Sequence, residues 1–278
     1  MCRATRAGVA AQRRGAATLC CDHRRVQDGS LIPRFGRARR DGSLAVLEGF
    51  HPLKHALRFG AELLEVVCAD PQELDRLAAE LAPELRVRIG ELARPVAPGV
   101  FERLAPLAPA TRVIALARRR PVDWQAVLDG PRGAPVVVLE DPRDLGNIGA
   151  CVRVAAAADA AGVLITGGHD PWHPDAVRGA AGLQYAVAVA RVQREELLRA
   201  GARPLVALDP AGEELAPARL PAGALLAFGS ERRGLSPQLL GRADARIRIP
   251  MRAGVSSLNL ATSVSAVLFS LRLCASAH

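Results

Sequence analysis

From Ala134 onward, short apolar or β-branched runs alternate with helical stretches: Val136–Leu139, Val163–Thr166, Ala186–Ala190, Leu205–Leu208, Leu225–Phe228 and Ile247–Ile249. Near-continuous apolar runs are what strands buried on both faces look like. Their alternation with helices predicts an α/β domain with a parallel sheet and helices on both faces. In such sheets ligands bind outside the carboxyl ends of the strands, so chemistry is expected just after each run.

The segment from Leu44 to Arg118 predicts a second, smaller α/β domain. It alternates helix and strand: an amphipathic stretch His51–Phe59, an apolar run Leu63–Cys68, a helix over Pro71–Leu81, and then strands expected at Val87–Ile89 and Val113–Ala117. Residues 119–133, which include Arg119, Arg120, Pro121 and the breakers Gly130, Pro131 and Gly133, read as a linker. In residues 1–43 a run of arginines extending to Arg40 faces only Asp22 and Asp28 before that point; it reads as a disordered basic tail that cannot offset its ordering entropy. A transit peptide, an RNA-gripping arm and an over-extended reading frame share this bias, and composition does not choose among them.

The excess of basic residues gives the 278-residue chain a net charge of +9, which favours a polyanionic partner. With no membrane-length apolar run and no signal peptide, a cytoplasmic location is expected. The cysteines, Cys2, Cys20, Cys21, Cys68, Cys151 and Cys274, form no CxxC pair and have no histidines at ligand spacing, so free thiols and no metal are expected.

Three segments carry the chemistry. The first runs from Leu139 to Arg153: a strand end, a polar turn, and a helix with Asn147 as its expected N-cap and Arg153 two turns inside. Arg153 alone reads equally as a solvated helix residue. The second, Phe228–Ser236, is a turn bracketed by Gly229 and Gly234, glycines that permit close backbone approach; its Glu231 is either an anchor or a surface charge. The third, Ile249–Ser263, leads through capping residues into an apolar helix. Its small and apolar side chains suit a flat adenosyl-like ligand or, equally, a packed helix.

In this order and spacing, Asn147-x-Gly149-xxx-Arg153, Gly229-x-Glu231-xx-Gly234, and Ile249-Pro250-Met251 followed by Ser257-Leu258-Asn259 resemble the signature motifs of the SpoU/TrmH family of RNA 2′-O-ribose methyltransferases. The resemblance spans nearly all of residues 134–278, and Leu47–Leu57 resembles the opening of the small ribosomal-protein-like RNA-binding domain that many members carry. It implies a SPOUT-type sheet with a deep trefoil knot, an exception to unknotted connection. It also implies a homodimer in which a second subunit contributes to the site, and S-adenosylmethionine held near Leu208, Gly229, Ile249, Met251 and Leu258. The implied substrate is structured RNA, tRNA or rRNA, and no metal or covalent intermediate is required. Arg153 would take the 2′-hydroxyl proton, with Asn147, Glu231 and Asn259 organising it. Because a guanidinium stays protonated, the other role for Arg153 is to grip the target phosphate and stabilise the developing alkoxide.

One segment departs from the family. Where many members have a serine, this chain reads Arg178-Gly179-Ala180-Ala181-Gly182, which bears on substrate choice more than on cofactor use. The adjacent His169–Pro174 loop, with Trp172 and His173, reads either as a nucleotide-stacking element or as packing. Two alternatives frame the tests: a catalytically idle RNA-binding or ribosome-assembly protein, and a knotted enzyme that methylates a base.

Overall fold

The computed structural model describes residues 30–130, 133–201 and 203–275. The amino-terminal domain is built on strands β1 (Leu44–Glu48), β2 (Leu63–Cys68), β3 (Ala93–Pro95) and β4 (Val113–Arg118), in the order β1-β4-β2-β3. β4 runs antiparallel to both β1 and β2, and β3 is parallel to β2. The carboxyl-terminal domain holds β5 (Val136–Leu139), β6 (Gly162–Ile165), β7 (Ala188–Arg191), β8 (Leu205–Glu214), β9 (Leu225–Phe228) and β10 (Ala245–Arg248). Their order is β10-β8-β9-β5-β6-β7, with every pairing parallel.

The central strand β5 explains why its run is unbroken. Val137 and Leu139 pack with Ile148, Val152 and Val264 on one face, while Val136 and Val138 pack with Leu128, Leu164 and Leu239 on the other. Helices therefore cover both faces, as the rhythm predicts.

Three expectations are corrected. The disordered tail does not reach Leu44, because residues 31–38 form a helix whose Leu31, Phe35 and Ala38, at i, i+4 and i+7, are buried against Val46, Val67, Ile114 and Leu116. Arg34 and Arg39 in and beside that helix pair with Glu65 and Glu48 at 2.6 and 2.5 Å, so these arginines are structural. The rest of the tail expectation, residues 1–29, lies outside the described residues. Val87–Ile89 is part of a helix, Arg86–Leu92, in which Ile89 is buried and Val87 is left in solvent.

The linker is short, because its second half belongs to the larger domain. Asp123 caps the helix Trp124–Asp129, whose Leu128 is buried under the sheet. The buried Arg203 donates to the carbonyls of Leu128, Ala134, Val127, Gly130 and Gly223 at 2.9–3.3 Å. One planar guanidinium thus satisfies carbonyls of the incoming chain that burial would otherwise leave unpaired.

The two domains share a core. Trp172, Val177 and Tyr185 of the larger domain pack with Leu53, Ala56 and Leu57 of the smaller, and the Tyr185 hydroxyl donates to the Arg118 carbonyl at 2.8 Å. Trp172 is 6% exposed and stacks edge-on against Tyr185, so the nucleotide-stacking alternative for this residue is excluded in favour of packing. His173 caps the helix Pro174–Gly179 by accepting from the Asp175 amide.

Candidate active site

The helix Leu145–Ala157 opens one turn earlier than its sequence suggests. Asp144 is the N-cap and accepts from the Asn147 amide at 2.7 Å. A carboxylate there satisfies an orphan amide and faces the positive end of the helix. The Asn147 side chain is thereby free for longer-range work. Its Nδ2 donates to Glu231 Oε1 at 2.8 Å, and its Oδ1 accepts from Asn259 Nδ2 at 2.9 Å. Asn259 in turn caps the last helix, Leu260–Ala275, its Oδ1 accepting from the Ala261 amide at 2.9 Å. The three motif segments, far apart in sequence, are joined through one chain of amide and carboxylate groups.

Glu231 also accepts from the Arg143 amide at 3.3 Å. Partial burial works to raise its pKa, but the Asn147 hydrogen bond, backbone amides and the Arg143 charge outweigh it and hold the carboxyl below the usual 4.5. It is an anion at neutral pH.

Gly229 and Gly234 are needed by the loop itself. The loop closes by reciprocal Ser230–Gly234 backbone bonds at 3.2 and 3.0 Å, and a Cβ on Gly229 would collide with the Gly234 and Leu235 backbone. Gly234 has φ +64°, a left-handed conformation natural to glycine.

Leu208, Gly229, Ile249, Met251 and Leu258, the five residues expected to hold the cofactor, all line one cavity of about 280 Å³ at the carboxyl ends of β9 and β10 and beside the middle of β8, with Glu231 at its edge. Leu208 reaches it because β8 is irregular: its pairing to β10 jumps from Ala207–Arg246 to Glu213–Ile247, and residues between leave the ladder. Pro210 has no amide to donate there. Met251 and Leu258 remain 37% and 41% exposed, so apolar surface is left uncovered along one wall. Exposed apolar side chains collected in a concavity, beside serines and backbone polar groups, suit a ligand with a flat apolar ring and a polar tail.

Arg153 is not brought to this cavity within the chain. Six positions beyond Asn147, it lies on another face of the helix, one turn after Gly149, and lines a second cavity with Glu48, His51, Lys54 and Arg178. Gly149 itself is where the helix meets Pro174–Gly179: a Cβ there would collide with the Ala176 carbonyl oxygen and the Ala180 amide nitrogen.

Sequence reasoning missed Glu140. This residue is 2% exposed, accepts from both the amide and the hydroxyl of Ser236 at 2.6 Å, and pairs with Arg194 Nε at 2.7 Å. It ties the end of β5 to the loop that follows β9. A carboxylate directly after a buried apolar run was the available signal. Among the described residues no helix is long and apolar enough to cross a membrane, and no cluster of His, Cys, Asp and Glu could hold a metal.

Residues 134–269 match the SpoU rRNA Methylase family. The chain is 31% identical over 241 residues to a 23S rRNA (adenosine(1067)-2′-O)-methyltransferase of Streptomyces laurentii, covering 80% of this chain and 83% of that protein. It is 26% identical over 251 residues to a 23S rRNA (uridine(2479)-2′-O)-methyltransferase of Streptomyces viridochromogenes, covering 86% of each. Among solved structures, the AdoMet-bound rRNA methyltransferase from Sinorhizobium meliloti superposes with a TM-score of 0.69 at 25% identity, covering 89% of this chain and 94% of that one.

Proposed function

The chain belongs to the SpoU/TrmH family of RNA methyltransferases, and on that premise we propose that it methylates a ribose 2′-hydroxyl of ribosomal or transfer RNA, using S-adenosylmethionine. The observation that carries this reading is the Asn147–Glu231–Asn259 chain at the edge of a cavity lined by all five expected cofactor residues. S-adenosylmethionine in that cavity would supply an electrophilic methyl group.

The protein's own task is then to position a hydroxyl oxygen and accommodate the loss of its proton. Leu208, Ile249, Met251 and Leu258 supply apolar walls, and the Gly229 turn supplies backbone polar groups beside them. Glu231, held anionic, fixes the Asn147 amide, and Asn259 fixes its other end, so the motif loops are mutually oriented before substrate arrives. Arg153 grips the target phosphate and stabilises the developing alkoxide while the hydroxyl proton passes to solvent water.

Arg153 is exposed and lies outside its own chain's cavity, which supports a homodimer in which each Arg153 serves the partner's site. The trefoil knot and the division into a small RNA-binding domain and a methyltransferase domain go with the same family premise. So does a cytoplasmic location, where RNA and cofactor meet.

The test is methyl transfer from labelled S-adenosylmethionine to total RNA, with digestion to nucleosides. A 2′-O-methylnucleoside is expected, lost in both Arg153→Ala and Glu231→Ala and partly restored when the two inactive variants are mixed and allowed to exchange subunits. A methylated base, or cofactor binding with no transfer to any RNA, refutes the reaction. Absence of restoration on mixing refutes the shared site.

A further inference from the structure

The cavity that Arg153 enters is larger than the one described above, about 730 Å³, and is formed by both domains of one chain. Its floor is the start of the helix Phe50–Arg58, with His51, Lys54 and His55. One wall is the 107–111 loop, and the other is Arg153 with Arg178 and Ala181. The domains meet closely here: His55 Nδ1 bonds the Ala181 carbonyl at 2.7 Å, and Gly182, with φ +78°, sits so close to Pro52 that a Cβ would come within 2.6 Å of its carbonyl oxygen.

The charges lining this cleft are unbalanced. Its carboxylate, Glu48, is 5% exposed and already pairs with Arg39 at 2.5 Å and Arg178 at 3.5 Å. Lys54 is 9% exposed, yet it makes no hydrogen bond or ion pair with the described residues. Its apolar stem is covered while its amine, which is not among the buried unpartnered atoms, reaches the cleft, where His51, Arg153 and Arg178 add to the positive charge and an anionic ligand can meet it. Burial, followed by repulsion from Arg58, lowers the Lys54 pKa even though Glu84 and Arg153 pull it in opposite directions; burial followed by Lys54 and Arg153 lowers that of His51. Burial leads in both shifts, and neighbouring positive charge adds to it.

We propose that this interdomain cleft seats the phosphodiester backbone of the substrate RNA, with Lys54 as its central phosphate-holding residue and His51 and Arg178 flanking it. The proposal rests on the RNA methyltransferase reading and adds the place where a single chain grips its substrate. The cleft joins the smaller domain to the helix that carries Arg153, so RNA held here is registered by the same element that bears the proposed catalytic arginine. A phosphate contact of this kind fixes position and carries no base preference.

The experiment compares wild type, Lys54→Met and the remote control Arg76→Gln, all full length, binding deproteinised total ribosomal RNA across a salt series, with cofactor affinity and thermal midpoint measured alongside. Methionine keeps the covered apolar stem and removes the charge that faces the cleft, so the fold is expected to be retained. The expected result is RNA affinity weakened roughly tenfold at low salt, the size of one charge-assisted hydrogen bond, and a log–log salt slope smaller by about 1, with cofactor affinity unchanged. A folded Lys54→Met protein that binds RNA with wild-type affinity and slope overturns the proposal. Wild type that binds no RNA at low salt overturns the functional reading together with it.

Discussion

Glu140 is the residue whose replacement should be most informative. In Glu140→Gln the side chain keeps its shape, but only one oxygen remains to accept, so one of the two 2.6 Å bonds from Ser236 is lost. A hydrogen bond to a charged group contributes about 1.5–3 kcal/mol. Arg194 also loses its counter-charge. Breaking a fully buried pair costs about 3–5 kcal/mol, but the Arg194 side chain is 34% exposed and can turn to water, so its share is the smaller one. The net loss should be about 3 kcal/mol, or roughly 6–12 °C in thermal midpoint for a chain of this size. The loop Gly229–Ser236 lines the cavity, so cofactor affinity should fall as well. Urea unfolding of Glu140→Gln, Ser236→Ala and the double variant, with titration calorimetry of S-adenosylmethionine, measures both effects. Additive losses in the double variant would mean that the two residues do not act through each other, and an unchanged midpoint in Glu140→Gln would refute the argument that this carboxylate holds the loop.

Gly149→Ala gains about 1 kcal/mol of helix propensity but forces backbone apart at the Ala180 contact, so it should lose about 2 kcal/mol net and reduce methyl transfer by displacing the helix that carries Asn147; chemical denaturation and turnover of the variant check it. The Glu231 carboxyl is lowered in the folded state, so the stability it contributes is complete above the ordinary value of 4.5 and is lost as pH falls through its lower folded value. The acid limb of the urea midpoint should therefore be shallower in Glu231→Gln than in wild type below pH 4.5, and identical limbs would contradict this. Burial pushes the Cys68 thiol up to about 11 and the Cys151 thiol up to about 12, whereas Cys274 is partly exposed, so brief N-ethylmaleimide treatment of native protein near neutral pH should label Cys274 first of the three by peptide mass spectrometry.

Local pattern determined a good deal of this protein. Unbroken apolar runs such as Val136–Leu139 specified buried parallel strands because both of their faces need covering, and the helix Pro71–Leu81 was written in its cap and its proline. The motif residues Asn147, Glu231 and Asn259 could be named because their segments resemble the SpoU/TrmH motifs in order and spacing. Other features depend on what the chain meets after folding. The helix at Leu31–Ala38 was hidden among arginines because its three apolar residues count only once β1, β2 and β4 offer them a face. Asn147 looked like a cap until Asp144 was seen to occupy that place, and Trp172 looked available for stacking until Tyr185 and the smaller domain enclosed it. Arg153 shares a motif with Asn147 but opens into a different cavity, because a helix sends residues six apart to different faces. The motif resemblance named the candidate groups; long-range packing decided which of them meet within one chain, because hydrogen bonds and burial act over a few ångströms of space, whatever the separation along the backbone.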